Sequence, residues 1–109
     1  MAEKNYDEYQ ETIDQQRSYL LKLQEAFNKH CDQLTAESED QLKKLPLEDT
    51  GGREQIMVIQ KQKLQQALAQ LRQEVTTSTM KTRQKLEAII SKREEKELEE
   101  LEKMLNEVA

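Results

Sequence analysis

Apolar residues in the first half of the chain recur at Tyr6, Tyr9, Ile13, Leu20, Leu23, Phe27 and Leu34, in steps of three, four and seven with polar residues between them. That spacing predicts a long amphipathic helix carrying a heptad seam, interrupted at Gln16 and His30. Beyond Leu34 the pattern shifts to Ser38, Leu42 and Leu45, an eleven-residue step that reads as a stutter with local unwinding. Ser38-Glu39-Asp40-Gln41 also suits the cap of a separate short helix. At the N-terminus, Asn5 followed three positions later by Glu8 reads as a capping pair, placing the start of the helix near Tyr6.

The second half repeats the signal at Leu64, Leu68 or Ala67, Leu71, Val75, Thr79, Thr82, Leu86 and Ile89 or Ile90. Between the halves stands Leu45-Pro46-Leu47-Glu48-Asp49-Thr50-Gly51-Gly52, where a proline that cannot continue a helix is followed by turn-forming residues. The expected architecture is therefore all-α: a long antiparallel helical hairpin of coiled-coil type in one domain, residues 1–109. Helix 1 is expected over about 6–45, the turn over 46–52 and helix 2 over about 53–107. Val75-Thr76-Thr77-Ser78-Thr79 is the weak stretch, because β-branched and hydroxyl residues are poorer helix formers. A break there, near residues 75–79, would give a three-helix bundle; the seam continues in phase across it, which favours the unbroken hairpin.

Composition agrees. Ala, Glu, Lys, Leu and Arg make up 55 of 109 residues, while Gly, Pro and Phe number 2, 1 and 1 and Trp is absent. Such a chain has little from which to build a sheet or a compact core, which argues against an enzyme fold.

Charge adds orientation. Residues 1–52 carry 12 acidic and 6 basic side chains, residues 53–93 carry 3 and 9, and residues 94–109 carry 7 and 2. Folding the chain back about residue 49 sets residue j against roughly 98 minus j. Lys81, Arg83, Lys85, Lys92 and Arg93 then meet Glu3, Asp7, Glu8, Glu11 and Asp14, as charged flanks select partner and direction in coiled coils. The same register sets Leu71 against Phe27 and places Gln16 and Thr82 in one polar layer, a register pin.

The second arm is longer than the first, so residues 94–109 overhang as a tail. Leu98, Leu101, Leu105 and Val108, with Met104 beside them, give this tail an apolar stripe among acids. An amphipathic helix with no partner is marginal in water, so the stripe is the expected partner-binding site. A homo-oligomer, with a dimer favoured, is expected ahead of a foreign partner with a basic-rimmed groove. Ile56, Met57, Val58 and Ile59 span most of one helical turn and are expected to form a small end-core with Leu42, Leu45 and Leu47. They are also a candidate tip site, because exposed Met and aliphatic side chains suit varied clients.

The chemistry is sparse. His30 and Cys31 are each the only residue of their kind and are adjacent, so on a helix they point about 100° apart. They cannot complete a zinc site, which takes three or four protein ligands. No metal, cofactor or catalytic residue is expected. The basic segment has no aromatic residue for base stacking, and within it Lys81 to Arg93 lacks the bulky interfacial aromatics of a membrane-surface helix, so neither nucleic acid nor membrane is an expected partner. A lone cysteine and the absence of a long apolar run suggest a reducing, cytoplasmic setting. The expected function is that of a non-enzymatic adaptor or scaffold acting through the C-terminal stripe. The alternative is a small helical chaperone that holds clients at the apolar tip.

Overall fold

The computed structural model describes the backbone of residues 2–108 and the side chains of residues 7–108. Two α-helices account for nearly all of it: α1, Ala2–Lys43, and α2, Thr50–Val108. They form a helical hairpin, with no strand among the described residues. Val75–Thr79 lies inside α2 without interruption, so the three-helix alternative falls. α1 already runs through Asn5 and Tyr6, starting N-terminal of the expected cap. The side chain of Asn5 and the seam position of Tyr6 lie outside the described side chains.

Contacts divide the chain into two compact units. Tyr19–Thr76 makes up one, and the remainder of α1 and α2 makes up the other. In the Tyr19–Thr76 unit, α1 closes with two tightened bonds, Lys44 N to Gln41 O and Leu45 N to Leu42 O, both 3.3 Å. Helix 1 therefore ends at Lys43 rather than at residue 45. Asp49 N donates to Pro46 O at 3.1 Å to form the turn, and Asp49 then caps α2. Its carbonyl takes the first helical bond from Arg53 N at 3.2 Å, and its carboxylate accepts Gly52 N at 3.0 Å. This satisfies one of the orphan donors at the helix start and sets a negative charge at the positive end of the helix. Thr50, Gly51 and Gly52, expected in the turn, are thereby the first turn of α2.

Arg53 closes the loop from the other side, its Nη1 donating to Leu42 O at 3.2 Å. That carbonyl, at the end of α1, also accepts from Leu45 N, so Arg53 supplies its second bond. Leu42 and Leu45 are half-buried next to this clasp, whereas Leu47 is 85% exposed and lies outside the expected end-core.

The seam itself departs from the heptad expectation. On α1 the covered series is Tyr9, Thr12, Gln16, Leu20, Leu23, Phe27, Cys31, Leu34, Ser38 and Leu42, continued by Leu45 just beyond the helix, with Gln10 and Ile13 beside it. On α2 the series is Ile56, Gln60, Leu64, Ala67, Leu71, Val75, Ser78, Thr82, Leu86, Ile89 and Arg93, with Gly52 and Arg53 covered before it and Glu74 beside it. Both series step by three, four and four, an eleven-residue repeat. That repeat corresponds to about 3.67 residues per turn, closer to the 3.6 of an unstrained α-helix than the 3.5 of a heptad. Cys31, not His30, holds the seam position between Phe27 and Leu34, and His30 is exposed.

Burial is shallow, as two helices alone must give. Among the described residues only Leu34, at 8% exposure, and Ser38, at 6%, are fully buried. Ser38 does not cap a separate helix. It sits inside α1 with its hydroxyl donating to Thr35 O at 3.0 Å, which satisfies a polar group that would otherwise be costly to bury.

In the unit built from the first part of α1 and the last part of α2, the expected polar layer is present. Gln16 Oε1 accepts from Thr82 Oγ1 at 2.8 Å and from Ser78 Oγ at 2.7 Å. Ser78, which the register about residue 49 sets four residues away from Gln16, thus joins the layer as well. Lys85, Glu8 and Glu11 border one shallow depression with Thr12, Gln15 and Ile89.

Candidate interaction surfaces

The tail is helical to Val108. Every residue from Glu94 to Val108 is exposed, with the large apolar side chains ranging from 56% at Leu101 to 88% at Val108. A helix advances about 100° per residue. Leu98, Leu101, Leu105 and Val108 consequently share a face turned by roughly a third of a circle from the seam face of Leu86, Ile89 and Arg93. Met104 stands eleven residues after Arg93, on the continuation of the seam face and beside the stripe rather than within it.

Two exposed residues extend the stripe toward the N-terminus of α2. Ile90 is 43% exposed and stands eleven residues before Leu101; Met80 is 57% exposed and lies ten residues further back. Both fall on the Leu98 face by helical phase. The adjacent Ile89 takes the seam position and is half-buried. The doublet Ile89-Ile90 was the available signal: two successive isoleucines cannot both face α1, so one of them must belong to a second face. Met80, between Thr79 and Lys81, gave no periodic signal.

The hairpin end separates the four candidate tip residues. Ile56 is half-buried in the seam and, with Ile59, borders the small depression over Leu34 and Ser38. Met57 and Val58 are exposed and belong to the outer surface of α2. The tip is thus a seam residue, a rim residue and two outward-facing residues rather than one patch.

Cys31 is a free thiol, half-buried in the seam. Among the described residues no three His, Cys, Asp or Glu side chains converge as a metal site would require. No described helix is long and apolar enough to cross a membrane. No family model matches the chain, and neither a curated protein nor a solved structure does.

Proposed function

We propose that this chain is a non-catalytic protein-interaction module, an adaptor that associates with a second copy of itself through the C-terminal stripe of α2. The supporting observation is the run from Glu94 to Val108. It remains helical, places four large aliphatic residues on one face, and has none of them covered. Such a helix gains its stability from burying that face, since helix propensity alone is weak support in water. Met104, next to the stripe, adds adaptable apolar surface at its edge.

Sedimentation equilibrium with circular dichroism on the full chain tests this reading. The native chain is expected to be a dimer, and Leu101→Asp with Leu105→Asp is expected to give a monomer that keeps its helical signal. A native chain that stays monomeric at every concentration reached would end the reading.

A second reading has its own observation. Leu47, Met57 and Val58 are all exposed in the Tyr19–Thr76 unit, which suits a small chaperone that holds clients at the hairpin end. In that case Met57→Ser with Val58→Ser would abolish protection of an aggregating client protein, while the double aspartate change in the tail would leave it intact.

A further inference from the structure

The adaptor reading leaves open how two copies would lie, and the second face of α2 carries a specific answer. Counting outward from Glu94, the positions on this face are matched in both directions. Four residues away stand Ile90 and Leu98, and seven away Glu87 and Leu101. Eleven away stand Arg83 and Leu105, and fourteen away Met80 and Val108. All of these side chains are exposed, and they cover about 42 Å of helix at 1.5 Å per residue.

Charge on either side of Glu94 is opposite in sign. Residues 80–93 hold five basic side chains against the single acid Glu87, while residues 94–108 hold seven acids against Lys96 and Lys103. From this we infer that two copies pair antiparallel along this face, with the two-fold axis at Glu94. The acidic tail of each copy then lies on the basic stretch of the other.

This arrangement accounts for features that a simple tail-to-tail pairing does not. Ile90 packs on Leu98 of the second copy and Met80 on its Val108, so the exposed apolar residues upstream of the tail are covered as well. A parallel pair, or two tails alone, would instead set acidic segments side by side, which like-charge repulsion opposes. Glu94 is the one residue that meets itself, a single like-charge contact at the axis set against the opposite-charge contacts on either side of it.

The arrangement rests on the adaptor reading, and its test separates the two. Single cysteines are placed at Glu94 or Leu98 in a full chain carrying Cys31→Ser, and the purified protein is oxidised; a disulfide needs Cβ atoms within about 4.5 Å. Glu94→Cys is expected to cross-link to itself. Leu98→Cys is expected to cross-link only when mixed with the Ile90→Cys chain. In parallel, sedimentation of the unmodified chain is followed as NaCl rises. Screening of the tail-to-basic attraction is expected to weaken the dimer by about tenfold between 0.05 and 0.5 M. Self-cross-linking of Leu98→Cys, with or without that of Glu94→Cys, or a dimer that tightens with salt, overturns the antiparallel arrangement while leaving the adaptor reading standing. A monomeric unmodified chain overturns both.

Discussion

Gln16 and Thr82 meet across the seam through a 2.8 Å hydrogen bond from the threonine hydroxyl to Gln16 Oε1, and Ser78 donates to the same oxygen. Both lone pairs of the amide oxygen are used, while Gln16 Nε2 is buried without a partner. An orphaned buried donor costs about 1–3 kcal/mol, so this layer reduces stability while it fixes register, as a single polar seam residue does in coiled coils.

The expected consequence is an asymmetry between the two sides of the layer. Gln16→Leu removes the orphan, and the hydroxyls of Ser78 and Thr82 can turn to carbonyls of their own helix. Thermal unfolding should show this variant to be as stable as the native chain or more so. Ser78→Ala with Thr82→Val leaves the whole buried amide without partners and should cost about 1–3 kcal/mol. Equal destabilisation by both changes would rule out the register-pin account.

The glycines at the start of α2 predict a second contrast. A Cβ on Gly51 would meet nothing within 4 Å, whereas one on Gly52 would stand 2.6 Å from Asp49 Oδ2. Gly51→Ala should therefore stabilise by about 0.5–1 kcal/mol through the unfolded chain and helix propensity. Gly52→Ala pushes the capping carboxylate away and forfeits a cap worth about 0.5–2 kcal/mol, so its net effect should be neutral or destabilising. In an Asp49→Ala background the conflict disappears, and denaturant titration should find the two alanine changes alike.

These relationships also mark what the residues disclose in advance. Pro46 and the following glycines make the reversal legible, because a proline cannot donate the bond that would carry α1 onward. Gln16 and Thr82 could be paired by counting from the turn, since a hairpin has one register once its apex is set. The eleven-residue period is hidden because Thr12, Gln60 and Ser78 occupy seam positions with polar side chains, so an apolar count sees only part of the series. Cys31 is small and weakly apolar, so a heptad count passes over it and sets His30 in its place. The stripe at Leu98, Leu101, Leu105 and Val108 stood out from spacing alone. Its extension to Met80 and Ile90 did not, because only the folded chain shows which of Ile89 and Ile90 faces α1.

Burial separates two leucines of equal size. Leu34 is 8% exposed and Leu47 is 85% exposed. Leu34→Ala should cost about 2–3 kcal/mol, the lower end of the range for core leucines, because a two-helix seam can close partly over the gap. Leu47→Ser should stay within about 0.5 kcal/mol of the native chain. Urea midpoints of the two variants check this, and a large loss at Leu47 would show that the turn is more tightly packed than its exposure implies.

Arg53 offers the sharpest probe of the turn, because its guanidinium acts at the end of α1 although the residue belongs to α2. Leu42 O accepts both from Leu45 N, at 3.3 Å, and from Arg53 Nη1, at 3.2 Å. Arg53→Met keeps the aliphatic stem and removes the donor and the charge, so the carbonyl loses one partner and α1 loses a cation near its negative end. The expected loss is about 0.5–1.5 kcal/mol, with amide exchange of Leu45 and Lys44 accelerated more than that of Leu34. Arg53→Lys restores the charge but not the fixed fork of donors, and should recover part of the loss. Were exchange to accelerate equally along all of α1, the clasp would be supporting the hairpin as a whole rather than the last turn of α1.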